Sequence, residues 1–139
     1  MPVLVSYHWR PTLTRLLKHF PKGRVFDTNP ATEAAWNRGE IPIMFAHAAS
    51  AGHGSNLQDG GNILARMDLW WDFEQFEQIL ERIGPMRQKQ SGHARPVWDY
   101  RIIARDTEDE RVMLRHSSKR SVMDLLMDHM RDLKRKGII

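Results

Sequence analysis

The sequence predicts an α/β protein in which helices flank a parallel sheet of about five to six strands, giving three layers. Short apolar runs alternate with amphipathic stretches along the 139 residues, which is the pattern of strands joined by helices. The runs are apolar at successive positions, as in parallel strands that are covered on both faces. The length fits a single domain, 1–139, and 41% hydrophobic residues are enough for a core.

Breakers and caps separate the elements of the first half. Pro11 fits the first turn of a helix, and apolar residues at helical spacing give that helix a buried stripe. Asn29-Pro30 turns the chain, and Gly39 ends the second helix. The predicted elements are strand 3–7, helix 11–20, strand 24–27, helix 31–38 and strand 41–46.

The second half begins with a loop of small residues, 49–61. Thr107 is a plausible N-cap for the last helix because acidic residues follow it in the first turn. The predicted elements are strand 62–67, helix 73–83, strand 97–104 and helix 107–136. The late apolar stripe of the last helix is expected to fill a core; it consists of Met123, Leu126, Met127, Met130 and Leu133.

Composition limits the class of protein. The net charge is +4 and the pI about 9.8, with basic ends around a mildly acidic middle. This balance allows a polyanionic partner such as nucleic acid, and equally an ordinary solvated surface. Absence of cysteine excludes disulfides and thiolate metal sites. No apolar run has the length of a membrane span and no signal-peptide pattern opens the chain, so we expect a soluble, cytoplasmic protein.

Two arginines flank a predicted helix end. Arg82 lies in the last turn before the Gly84-Pro85 break, and Arg87 follows the break. Arginine is always charged and offers bidentate donors to phosphate oxygens, so the pair suits a phosphate held from two sides. The alternative is a surface helix whose Arg82 complements the helix dipole. An ion pair within the helix is not predicted, because Ile79 and Gln78 occupy the favourable positions.

A ligand site is expected at the carboxyl ends of the strands, where parallel sheets bind ligands. The loop Gly52–Asn56 follows the third strand, and its glycines would let a backbone approach phosphate closely. A plain turn is the alternative, and no Lys-Ser/Thr pair follows to make a Walker A loop. We expect the segment that carries Arg82 and Arg87 to be able to reach the same edge.

Other catalytic patterns are weak. His47, His53 and His93 are the obvious metal candidates, but they lack metal-ligand spacing, so no metal is predicted. A Ser-His-Asp set can be written from Ser50, His53 and Asp59, without the G-x-S-x-G turn of a nucleophile.

Aromatic and basic residues are adjacent at the end of the first strand. Tyr7, His8, Trp9 and Arg10 could stack on bases and contact phosphate. They could equally be half-buried aromatics at a strand end.

Several segments match helicase motifs in the correct order. The matching segments are Pro2–His8 (motif IV), Ser50–Leu57 (motif V), Trp70–Trp71, Gln78–Arg82 with Arg87–Gln90 (motif VI), and Asp106–Glu110 followed by Lys119. Together they resemble the second RecA-like lobe of superfamily-two helicases, in the Swi/Snf-like branch found in phage and prophage. The resemblance covers nearly the whole chain, and motif VI with its D-T-x-[DE]-E continuation is the specific part.

The resemblance implies an ATPase role. Arg82 and Arg87 would be arginine fingers that reach ATP and its Mg²⁺, held mainly by a partner lobe, with Gln78 supporting them. No bound cofactor is expected on this chain alone. The spacing of the arginines is two residues longer than the usual family pattern, which leaves open which one contacts the γ-phosphate.

The resemblance also implies contacts at the lobe interface and with DNA. Gly52, Gly54 and Asn56 would lie at the lobe interface near the nucleotide. Tyr7 and His8 would lie near the DNA backbone, as would Ser50 in motif V.

The first lobe of such an enzyme is missing from the sequence, which has no Walker A lysine and no Walker B strand. We therefore expect half of a DNA-dependent ATPase, inactive alone, with DNA and a first RecA-like lobe as partners. A catalytically inactive nucleic-acid or protein interaction module of the same fold is the alternative. An unrelated α/β domain that binds a small ligand is a third.

Overall fold

The structure, a computed structural model, describes residues 1–47, 49 and 56–138. Backbone packing divides the chain into two units, Met1–Ile103 and Ala104–Ile139. The expectation of one domain over the whole chain stays a prediction. The described elements are β1 (Val3–Tyr7), α1 (Arg10–His19), β2 (Arg24–Val25), α2 (Pro30–Asn37), β3 (Ile43–His47), β4 (Ile63–Arg66), α3 (Phe73–Ile83), α4 (Pro85–Gln90), β5 (Trp98–Arg101) and α5 (Glu108–Arg135).

The first unit is built on one parallel sheet with strand order β2-β3-β1-β4-β5. The central strand β1 pairs with β3 on one side and β4 on the other, so that Val5 lies opposite Phe45 and Ala65. Strand β5 pairs with β4, and β2 with β3, both in parallel. The prediction of a parallel α/β sheet of about five to six strands is confirmed, with five strands in the described part of the chain.

Helices cover both faces of this sheet. Alternate residues of β1 point to opposite faces, so Leu4 packs in one core and Val5 in the other. The Leu4 face is covered by α2 and α3 through Trp36 and Ile79. The Val5 face is covered by α1 through Leu16. The first unit therefore has the three layers that the sequence predicts.

Helix α3 begins and ends where the sequence predicts. The Asp72 side chain caps its first turn by accepting from Gln75 N at 3.1 Å, and Phe73, Phe76, Ile79 and Ile83 form its buried stripe. Gly84 is extended (φ −63°, ψ 170°), which ends the helix. Pro85 then starts the short helix α4, whose first turn does not need the missing N–H.

A buried ion pair joins β4 to β5. Arg66 is almost fully buried and donates from Nε to Asp99 Oδ1 at 2.8 Å. Its guanidinium also lies 3.6 Å from the centre of the Phe76 ring. Arg66 is therefore accommodated in the core by a carboxylate and an aromatic face.

The second unit consists of α5, with Thr107 as the predicted N-cap accepting from Asp109 N at 3.3 Å. Its late apolar stripe is not core: Met123, Leu126, Met127 and Met130 are exposed. The prediction is wrong because helical spacing alone does not say whether another element covers the face. No helix in the described part of the chain is both long and apolar enough to cross a membrane.

Candidate functional site

The two arginines of the predicted motif VI lie on consecutive helices. Arg82 is in the last turn of α3 and Arg87 in α4, and both side chains are half-buried. The two helices are not continuous, because the backbone is extended at Gly84 between them.

Asn56 links the arginine segment to the end of the glycine-rich loop. The Arg87 guanidinium donates from Nη1 to Asn56 Oδ1. The backbone also joins the segments, because Leu57 N donates to Arg82 O at 3.1 Å. The sequence-predicted residues Arg82, Arg87 and Asn56 are thus brought together.

Helix α2 fixes Asn56 from the other side. Glu33 Oε1 accepts from Asn56 N at 2.8 Å, and Asn37 Nδ2 donates to Asn56 O at 2.8 Å. Trp36 Nε1 donates to Leu57 O at 2.9 Å. The backbone at 56–57 is therefore held by three side chains of one helix, which leaves the Asn56 amide oxygen directed to Arg87.

A buried glutamine anchors α4. Gln88 is 0% exposed and donates from Nε2 to Gly61 O (2.9 Å) and Ile83 O (3.0 Å). Its Oε1 accepts from Arg95 Nε at 2.7 Å, and Arg95 Nη2 donates to Gln58 O at 2.8 Å. This network fixes the short helix that carries Arg87.

An open groove of about 540 Å³ adjoins Arg87 on the outer side of α3 and α4. Its lining combines carboxylates with apolar side chains, including Glu81, Leu80 and the exposed Met86. Gln78 lies on α3 and donates to Glu74 Oε1 at 3.0 Å, one turn earlier. Its support of the arginines stays a prediction.

Tyr7 and His8 lie at the carboxyl end of β1 among other aromatic rings. The His8 ring stacks on Trp70 (centroids 4.4 Å apart, 14° between planes), and Trp9 meets Trp70 edge-on at 5.1 Å. Tyr7 packs edge-on against His47, whose Nε2 is 3.1 Å from His8 O. We call Tyr7, His8, Trp9, His47 and Trp70 the aromatic cluster.

Asp68 holds this cluster to α1. Its Oδ2 accepts from His8 N at 2.9 Å and Trp9 N at 3.0 Å, and its Oδ1 accepts from Thr12 Oγ1 at 3.0 Å. Trp9 is the N-cap of α1 and supplies no side-chain cap bond. Asp68 therefore supplies hydrogen bonding at this turn from a distant part of the chain.

The pKa of His8 is lowered at this edge of the sheet. Burial, and after it the nearby His47 ring, lowers the pKa of His8, while the Asp68 carboxylate acts in the opposite direction. His8 Nδ1 is buried and finds no hydrogen-bond partner among residues 1–47, 49 and 56–138. The neutral imidazole is therefore favoured.

The arginine pair and the aromatic cluster lie at opposite ends of the strands. Helix α3 starts beyond the carboxyl end of β4 and returns to the amino end, where Arg82 meets Leu57 and Gln88 meets Gly61. A helix that joins neighbouring parallel strands must return in this way. The expectation that the arginines reach the carboxyl edge is therefore wrong.

Three predicted site residues, Ser50, Gly52 and Gly54, lie outside the described residues.

Sequence reasoning missed three residues that hold the site together, Gln88, Arg95 and Asp68. A single polar residue gives no sequence signal of burial, and the partners of Gln88 include two backbone carbonyls. In the described part of the chain no three His, Cys, Asp or Glu side chains are grouped to hold a metal.

Comparisons with known proteins give a phage relative in sequence and solved structures of similar fold. No family model matches the chain. It is 60% identical over 130 residues, 94% of its length, to a curated protein described as putative protein p41 of Acyrthosiphon pisum secondary endosymbiont phage 1. The chain spans only 28% of that relative's length.

One solved structure of similar fold is described as the C-terminal part of the Fun30 ATPase domain. It matches with a TM-score of 0.66 and 17% identity, over 83% of this chain and 39% of that one. This likeness shows the fold, a parallel α/β sheet with flanking helices, as expected of a RecA-like lobe. The chain shares the architecture of the C-terminal part of an ATPase domain.

Proposed function

We propose that the chain is the second lobe of an ATP-dependent DNA helicase or translocase. It would supply Arg82 and Arg87 to ATP bound on a Walker-bearing first lobe. The observation that carries the proposal is the contact between Arg87 and Asn56, which joins the segments that resemble motifs VI and V. The shared fold with the C-terminal part of an ATPase domain supports it.

Two arginines on consecutive helices support this role. Guanidinium groups suit the phosphate oxygens on which charge develops during phosphoryl transfer, and an arginine supplied from outside raises such rates by about 10³–10⁵. The Asn56 amide orients one of these groups without neutralising it. The lysine and carboxylate that cradle ATP and Mg²⁺ would come from the first lobe.

Helix α3 offers a route between nucleotide and DNA. Its eleven residues span roughly 16 Å, from Asp72 beside the aromatic cluster to Arg82 at the nucleotide end. Closure of the two lobes on ATP would pull on Arg82 and Arg87 and, through α3, shift the edge that carries Tyr7 and His8. Such a shift is what a motor needs to move along a strand.

Reconstitution tests this function. The chain is mixed with the part of the longer phage relative that lies outside the matching region, and DNA-stimulated ATP hydrolysis is measured. We expect activity that neither part shows alone, lost in Arg82→Ala and Arg87→Ala. Arg38→Ala is the matched control, because Arg38 is exposed and its guanidinium pairs with Glu40 at 2.9 Å.

Two results would contradict the proposal. One is ATP turnover by the isolated chain with DNA present. The other is an active mixture whose rate is unchanged by both arginine substitutions. A mixture that binds DNA with steep salt dependence but hydrolyses no ATP would indicate the interaction module instead.

A further inference from the structure

The sheet face that carries Val5 is covered by a helix on one half only. Helix α1 packs over β1 and β3 through Leu16, and the core on this face extends no further than β4 with Ala65. On β5, in contrast, Trp98 is 52% exposed and Tyr100 54%. Parallel strands are normally covered by helices on both faces. Among the described residues of the first unit, no helix covers the β4–β5 half of this face.

Apolar side chains of β4 and β5 line this uncovered half. They share one side of the sheet, because Ile63 lies opposite Trp98 and Ala65 opposite Tyr100 in the strand register. The Trp98 and Tyr100 rings are stacked, with centroids 6.4 Å apart and 19° between planes. A contiguous exposed apolar surface of this kind marks an interaction site. We call it the open face; it consists of Ile63, Ala65, Met67, Trp98, Tyr100 and Ile102.

Strand β5 is firmly attached, so the exposure of its rings is not a frayed edge. Trp98 N donates to Asn62 O at 2.8 Å, and Ile102 N donates to Arg66 O at 3.0 Å. On the other side of the sheet, Asp99 accepts from the buried Arg66 side chain at 2.8 Å. The open face is therefore a fixed surface on a paired strand.

Helix α5 carries an apolar stripe of the kind that covers such a face. Its opposite side is charged, with ion pairs one turn apart between Arg131 and Asp128 (3.3 Å) and between Arg135 and Asp132 (2.8 Å). A helix with one apolar and one charged side packs with its apolar side on another layer. The stripe residues are between 45% and 70% exposed; they are Val122, Met123, Leu125, Leu126, Met127 and Met130.

We propose that the chain forms a two-fold symmetric dimer in which the α5 stripe of each copy packs on the open face of the other copy. Each copy carries both surfaces, so a two-fold axis repeats the contact and closes the assembly. One contact joins nine apolar side chains that are each 45–70% exposed in the single chain. Two contacts would bury on the order of 1,600 Å², the size of a standard stable interface.

Analytical ultracentrifugation of the 139-residue chain tests the dimer. We expect a dimer at micromolar concentration that dissociates on dilution. Tyr100→Asp and Leu126→Asp should each weaken dimerisation by roughly 30-fold or more, because each places a carboxylate in the centre of an apolar contact. Met86→Asp is the matched control and should dimerise as the wild type does, since Met86 is 74% exposed on α4, outside both surfaces.

Cross-linking identifies which surfaces meet. The chain has no cysteine, so a single introduced thiol reports on one position. A Tyr100→Cys chain is mixed with a Leu126→Cys chain and treated with a short bismaleimide. We expect the mixed pair to be cross-linked in excess over either variant with itself. Fluorescence of the buried Trp36 checks that each variant is folded.

Three results would overturn the inference. One is a monomer throughout the micromolar range. Another is a dimer that both aspartate substitutions leave unchanged. The third is a Leu126→Cys chain that is cross-linked mainly to itself, because two α5 helices would then pair with each other. The dimer is independent of the proposed ATPase role, since Arg82 and Arg87 belong to neither surface.

Discussion

Arg95, in the segment before β5, holds the side chain of Gln88 in place: Arg95 Nε donates to Gln88 Oε1 at 2.7 Å. Gln88 in turn donates to the carbonyls of Gly61 and Ile83. One buried amide therefore joins the end of α3, the start of β4 and the segment before β5. The position of Arg87, one residue earlier, depends on this amide.

Replacement of Gln88 by Leu should destabilise the first unit by roughly 2–4 kcal/mol, because two buried carbonyls and Arg95 lose their partner. Urea unfolding followed by tryptophan fluorescence measures this, since all five tryptophans lie in residues 1–103. Gln90→Leu is the control, because Gln90 is exposed on the same helix. Equal midpoints for the two variants would show that the network does not stabilise the fold.

The Arg66–Asp99 pair should behave as a coupled unit. Asp99→Leu leaves a buried guanidinium without its carboxylate, and we expect a loss of about 3–5 kcal/mol. Arg66→Met together with Asp99→Leu should lose less than Asp99→Leu alone, because no buried charge then remains. Urea unfolding of the single and double variants gives the coupling energy, and strictly additive losses would rule out the coupling.

The free energy of unfolding should fall as the solution becomes acidic, in part because His8 becomes protonated. Because burial and His47 lower the pKa of His8 below its ordinary value of 6.5, the folded chain holds this proton less tightly than the unfolded chain. The contribution to stability is then fully present above pH 6.5 and is lost as the pH falls through the lowered pKa. His8→Gln should flatten the fall in unfolding free energy between pH 7.5 and pH 5.

The matched control for this titration is His19→Gln, which removes an exposed histidine from the end of α1. It should leave the pH dependence of the wild-type chain in place. An unchanged slope in His8→Gln would mean that other groups carry the acid sensitivity.

The sheet could be predicted from sequence because its signal is local. Runs such as Val3–Tyr7 and Ile43–His47 are apolar on both faces, and a break such as Gly84-Pro85 is fixed by backbone chemistry. The strand order, which places β1 between β3 and β4, has no such local signal.

The site was only partly predictable because its contacts join distant residues. Asp68 reaches His8 across 60 positions and Arg87 reaches Asn56 across 31. The spacing of Arg82 and Arg87 alone does not show to which end of the sheet their helix returns them, whereas the predicted order of strand, helix and parallel strand does. The prediction that the apolar stripe of α5 lies in a core was wrong for a related reason: burial depends on which element covers the helix.

The contact between Asn56 and Arg87 yields the most direct functional prediction, and it rests on the proposed ATPase role. Asn56→Ala should lower DNA-stimulated ATP hydrolysis in the reconstituted mixture by roughly 10- to 150-fold, since a hydrogen bond to a charged group contributes about 1.5–3 kcal/mol and a misplaced catalytic group loses rate. Asn37→Ala is the control: it removes a bond to the Asn56 backbone and leaves the side chain on Arg87. If Asn37→Ala lowers the rate as much as Asn56→Ala does, the effect comes from a loosened 56–57 backbone, and the Asn56 side chain does not position Arg87.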